Sequence, residues 1–127
     1  MIIVTRHAAL VEYLHEQNIA PESARVIDHA TIADVEGQHV IGVLPLRLAA
    51  HAKSVTEVPM DIPAELRGVE LTIEQVRQFA GEPATYTVKR ETAAAIRAEL
   101  ASHGITDFDG LDDDLLVQLL RIIRAVT

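Results

Sequence analysis

The stretch His39-Val40-Ile41-Gly42-Val43-Leu44-Pro45-Leu46-Arg47-Leu48-Ala49-Ala50 decides the fold. Its first half is the most continuous β-branched and aliphatic run in the chain, the composition of a central strand buried on both faces of a sheet. Pro45 then suits the first turn of a helix, where its missing N–H costs nothing, and Leu48, Ala49 and Ala52 give residues 46 to 53 an inward face. A buried strand running directly into a helix is the repeating unit of a parallel sheet with crossover helices.

The same unit recurs on either side. Residues 1 to 5 predict a first strand, and residues 7 to 17 a helix carrying Ala8, Val11, Tyr13 and Leu14 at helical spacing. Asn18 to Ser23, with Pro21, breaks that helix, and Ala24-Arg25-Val26-Ile27-Asp28 reads as a second short strand. Gly37 marks a turn before the central strand. Val55 to Pro59 predicts a fourth strand, Met60 to Gly68 a loop with one helical turn, and Thr72 the start of a helix with Glu74 and Gln75 near its N-terminus. Ala84-Thr85-Tyr86-Thr87-Val88 alternates as a fifth strand. The pattern predicts an α/β, Rossmann-like fold with a mostly parallel, doubly wound sheet of about five strands.

Beyond residue 90 the pattern changes to two helices, residues 91 to 103 and 112 to 126, joined by Gly104 to Gly110. The expected organisation is a ligand-binding domain over residues 1–90 and an acidic two-helix extension over residues 91–127. Asp112-Asp113-Asp114 suits a helix N-terminus, and the leucines and isoleucines that follow form a wide apolar face. That face is expected to be buried on the main domain, or else against a second copy or a partner.

Composition narrows the function classes. The net charge of −8 argues against a broad electrostatic grip on duplex DNA or long RNA, and a scarcity of aromatics argues against a base-stacking platform. A small anionic ligand remains compatible, since it needs only local N–H groups and one or two basic side chains. There is no cysteine, so a disulfide framework and a thiolate metal site are both excluded. The apolar run at the N-terminus is too short for a signal or membrane segment, and the cytoplasm is the expected compartment. His15, His29, His39, His51 and His103 show no metal-ligand spacing, and no metal is expected. Neither G-x-G-x-x-G, nor a P-loop, nor a G-x-S-x-G elbow is present, and no cofactor is expected.

In an open parallel sheet, ligands bind beyond the carboxyl ends of the strands, where strand order reverses. Three loops are selected by that rule. Thr5-Arg6-His7 follows strand one; Arg6 can pair with a phosphate and the His7 imidazole can give or take a proton, although such a pair also serves as a plain surface cap. Gly42 to Arg47 joins the central strand to its helix with no spare residues, which a purely structural turn would also do. Asp61 to Gly68 carries Arg67-Gly68, able to close over a ligand or to stand as a solvated loop charge.

Read together, Val4-Thr5-Arg6-His7, Val40-Ile41-Gly42-Val43-Leu44-Pro45-Leu46-Arg47-Leu48-Ala49-Ala50 and Asp61-Ile62-Pro63-Ala64-Glu65-Leu66-Arg67-Gly68-Val69-Glu70-Leu71 resemble a small CRISPR-associated family of type III accessory proteins. Its members open with Ser-Arg-His after strand one, carry V-I-G-x-L-P-x-x-L-A, and follow with L-P-x-E-L-R-G-x-E-L. The resemblance spans residues 1 to about 88. Thr5 stands where serine is usual and keeps its hydroxyl; Ala8-Ala9 and Tyr13 replace Pro-Gly-Ala and Trp; the tail has no counterpart.

The resemblance implies a ring nuclease, or at least a binder, of cyclic oligoadenylate second messengers, with cyclic tetra-adenylate as ligand. Such a ring carries about four negative charges and is symmetric, so a twofold homodimer suits it. Cleavage would need no metal if a ribose 2′-OH attacks the adjacent phosphorus and leaves a 2′,3′-cyclic phosphate. On this reading Arg6 and Arg67 meet phosphates and His7 is the general acid or base. Thr5, Leu44, Pro45, Arg47, Asp61 and Gly68 position the ring. The competing readings are a non-catalytic binder that sequesters the messenger, and an interaction protein acting through its acidic tail helices.

Overall fold

The structure is a computed structural model, and it describes residues 1–126. Val40 and Ile41, 0% and 3% exposed, point to opposite faces of the sheet and seed two separate cores. Their strand β3 (His39–Gly42) lies in the middle of a five-stranded sheet of order β2-β1-β3-β4-β5, where β1 is Ile2–Val4, β2 Arg25–Ile27, β4 Ser54–Glu57 and β5 Ala84–Tyr86. β2, β1, β3 and β4 are parallel, with Ile3 opposite Val26 on one side and Ile41 on the other. This is the expected α/β, Rossmann-like sheet, mostly parallel and wound on both faces.

On one face Ile2, Val40 and Val55 pack with Val35 of α2 (Ile32–Val35) and with Leu48 and Ala49 of α3 (Leu46–Ala49). On the other, Ile3 and Ile41 pack with Leu14 of α1 (Ala8–Glu16), with Ala20 and Ala24, and with Val58; α4 (Ile73–Phe79) lies beside α1 there. Asn18, at φ 57°, ends α1: the Ile19 N–H reaches back to the Leu14 carbonyl at 2.9 Å and the Asn18 N–H to that of His15 at 3.1 Å. The breaker is thus Asn18, three residues ahead of Pro21.

Three details differ from expectation. α2, unanticipated in the sequence, is a single turn held by a capping box, in which Thr31 Oγ1 accepts from the Asp34 N–H and the Asp34 carboxylate from the Thr31 N–H. α3 stops at Ala49 rather than continuing to Lys53, because the backbone that follows is committed elsewhere: His51 O accepts from the Gly37 N–H and the Lys53 N–H donates to Gln38 O. β5 runs antiparallel to β4, with Thr85 opposite Thr56, and ends at Tyr86.

Residues from Arg90 onward form a second compact unit. α5 (Ala93–Ser102) and α6 (Asp113–Val126) bury Ile96, Leu100, Leu116 and Leu120 against each other, and Ile105, Phe108 and Leu111 of the connection pack on this core. The apolar face of α6 is therefore covered by α5. Asp112 caps α6 by accepting from the Leu115 N–H at 2.9 Å, and the Arg124 guanidinium binds both Glu91 and Glu99.

Candidate functional site

The order β2-β1-β3 places the reversal point between β1 and β3, the crevice where ligands bind in flavodoxin-like sheets. The loop after β1 is fixed from two sides. The Thr5 N–H donates to Ile27 O at 2.9 Å, tying it to the end of β2, and Thr5 Oγ1 accepts from the His7 N–H at 3.1 Å. Thr5 therefore shapes the loop. His7 is left as the extended residue before α1, its carbonyl taking the N–H groups of Leu10 and Val11.

The segment after β4 is laid against the far end of α4. The Gly81 N–H donates to Pro59 O at 2.7 Å, the Asp61 N–H to Phe79 O at 3.1 Å, and Met60 bridges Ala80. A 3₁₀ turn over Ala64–Leu66 follows, then Gly68 at φ 80°, and Thr72 caps α4 reciprocally with Gln75. Between the two segments lies a cleft of about 390 Å³. Arg6, His7 and Leu10 form one wall; Met60, Ile62, Leu66, Gly68, Val69, Glu70 and Leu71 form the other, with Val76 of α4 also lining it. Its aliphatic majority with a few polar groups is the usual make-up of a small-molecule site.

Of the residues singled out in the sequence, Arg6, His7 and Gly68 line this cleft. Arg67 is exposed beside Gly68 and Asp61 is exposed at the start of the same segment, and neither is part of the lining. The β3 loop lies apart: Leu44 packs on the α2 and α3 face, Pro45 caps α3, and Arg47 is exposed on that turn. The physical reason is the reversal itself, which sends the chain after β1 to one face and the chain after β3 to the other. A helix of one turn also has little aligned dipole, so the end of α3 offers an anion less than the sequence suggests.

The cleft also takes in an aliphatic wall and Glu70, to which the sequence assigns no role, and Arg6 brings His29 beside the site. The guanidinium of Arg6 stands 2.6 Å from His29 Nε2, on the loop after β2. The same strand-end rule applied to β2 would have flagged Asp28-His29. Behind the cleft, Arg77 of α4 holds Glu16 of α1 through two hydrogen bonds of 2.7 Å, and this guanidinium keeps the Glu16 carboxyl below its ordinary range. Among the described residues no group of three or more His, Asp or Glu is placed to hold a metal ion.

The family model described as "Putative CRISPR-associated protein (Cas_VVA1548)" matches residues 2–89. The chain belongs to this CRISPR-associated family. The match covers the whole sheet and the cleft-bearing segments and ends where the helical unit begins. No curated protein and no solved structure matches the chain. Among the described residues, no helix of this CRISPR-associated protein is long and apolar enough to cross a membrane.

Proposed function

We propose that this CRISPR-associated protein binds cyclic tetra-adenylate and opens the ring without a metal. The reading rests on the convergence of the segments after β1 and β4 on one cleft at the carboxyl edge of the sheet, with Arg6 and His7 in its wall. An aliphatic surface accepts the face of a purine, and a guanidinium beside it accepts the phosphate. In the reaction the ribose 2′-oxygen bonds to the adjacent phosphorus, the bond from phosphorus to the 5′-oxygen breaks, and a 2′,3′-cyclic phosphate remains. His7 transfers a proton, either from the attacking 2′-OH or to the departing 5′-oxygen. Arg6 stabilises the charge that develops on the non-bridging phosphoryl oxygens, and Arg67, carried beside the cleft on an exposed loop, reaches a second phosphate of the ring.

A second reading keeps the ligand and drops the chemistry. Seven of the eleven residues lining the cleft are aliphatic side chains or methionine, which supply binding area and no proton transfer. On that reading the protein sequesters the messenger. Incubation of purified protein with cyclic tetra-adenylate in excess EDTA, with chromatography of products beside a binding assay, separates the two. Linear adenylates ending in 2′,3′-cyclic phosphate are the expected result; a bound but intact ring gives sequestration, and a ring neither bound nor cleaved refutes both.

A further inference from the structure

Arg6 is held by a residue outside the cleft. Its guanidinium lies 2.6 Å from His29 Nε2, whereas His29 is absent from the cleft wall that Arg6 helps to form. A guanidinium has five N–H donors and no acceptor, so Nε2 must accept in this contact, and the imidazole proton sits on Nδ1. The loops that carry the pair are themselves locked together. The Thr5 N–H binds Ile27 O one strand across, and the Thr31–Asp34 capping box fixes the chain two residues beyond His29. A flexible arginine loses substantial rotamer freedom when it takes an anion; an acceptor placed on a rigid neighbouring loop removes part of that loss before the ligand arrives. One N–H of the fork is occupied and four remain for the ligand.

We propose that His29 is a positioning residue of this site, aiming the Arg6 guanidinium at the anion through Nε2. The inference rests on the reading that Arg6 takes a phosphate. It requires of His29 an acceptor at the Nε2 position and no contact with the ligand.

The test is a double-substitution cycle in the full chain, reading affinity for cyclic tetra-adenylate, with thermal midpoints measured alongside. His29→Leu is expected to weaken binding about 5- to 20-fold in the wild-type background and by less than twofold in the Arg6→Met background, since His29 acts through Arg6. His29→Gln, whose Oε1 can accept near the position of Nε2, is expected to restore affinity to within about threefold of wild type. Equal losses in the two backgrounds, or failure of the glutamine to restore binding, would overturn the proposal. A readout free of the ring comes from ¹⁵N-detected imidazole spectra. His29 is expected as the Nδ1–H form in wild type and as a tautomer mixture in Arg6→Met, and the same mixture in both refutes the contact. If wild type fails to bind the ring, the functional reading falls, and the cycle is run with inorganic pyrophosphate as the anion. Loss of pyrophosphate binding in both Arg6→Met and His29→Leu sustains the positioning role, and indifference of pyrophosphate to either removes it.

Discussion

At Gly42 the backbone takes φ 141°, and a Cβ there would stand 2.3 Å from the carbonyl oxygen of Val4, its partner on β1. Neither the dihedral nor the backbone oxygen can yield cheaply, because Val4 and Gly42 are the last paired residues of the adjacent strands β1 and β3. Gly42→Ala is expected to cost on the order of 3 kcal/mol or more, read as a large fall in thermal midpoint by circular dichroism. His7 raises a chemical question instead. If it carries the proton, His7→Ala lowers ring cleavage by about 10²-fold or more with the binding constant unchanged, and a loss of only a fewfold removes it from the mechanism. At this scale the sequence was legible where a residue type has one strong use. Arg6 and His7 stand out in this way, and both line the cleft. His29 has no such signal, since its place beside Arg6 depends on a contact 23 residues away in sequence.

Elements were legible in proportion to their burial. The run through Val40 and Ile41 announces the central strand because both of its faces are buried, and the edge strands β2 and β5 are shorter and more exposed. α2 escaped notice because four residues cannot display a helical period; its signal is the pair Thr31 and Asp34. The antiparallel direction of β5 is equally invisible, since alternation is the same in either sense. The pairing of α1 with α4 behind the cleft carries a pH prediction. The Arg77 guanidinium holds Glu16 below its ordinary value of 4.5, so the charged pair stabilises the fold above that value, and the stabilisation is lost as pH falls through the lower, folded one. Glu16→Gln is expected to lower the thermal midpoint near neutral pH, with the difference closing as pH falls below 4.5 in a melting series. In the second unit, α5 ends with Gly104 at φ 86°, the Ile105 N–H bonding back to Leu100 O at 3.0 Å. Nothing lies within 4 Å of a Cβ built there, so Gly104→Ala meets backbone strain alone, about 1 kcal/mol by chemical denaturation.

For the whole molecule, the two units have separate hydrophobic cores, and the residues lining the cleft all belong to the first. Leu116, fully buried between α5 and α6, is the position that separates their roles. Leu116→Ala should cost the helical unit about 2–5 kcal/mol, seen as early loss of helix, while ring affinity stays at the wild-type value. A fall in affinity would give the tail a part in the ligand site. The ring itself bears on assembly. A cleft of about 390 Å³ is near the lower end of what a drug-sized ligand occupies, and four linked nucleotides far exceed such a ligand. On the proposed function one chain houses part of the ring, and a second copy presenting the same cleft would meet the twofold relation between opposite nucleotides. Val43, on the loop after β3, and Leu46, at the start of α3, are 73% and 75% exposed and offer apolar surface at that carboxyl edge that such a second copy would cover. Sedimentation equilibrium at micromolar concentration is expected to show a dimer binding one ring per two chains. Val43→Asp combined with Leu46→Asp should give a monomer with at least tenfold weaker ring binding, whereas a wild-type monomer unchanged by ligand would overturn the symmetric site and leave each cleft to act alone.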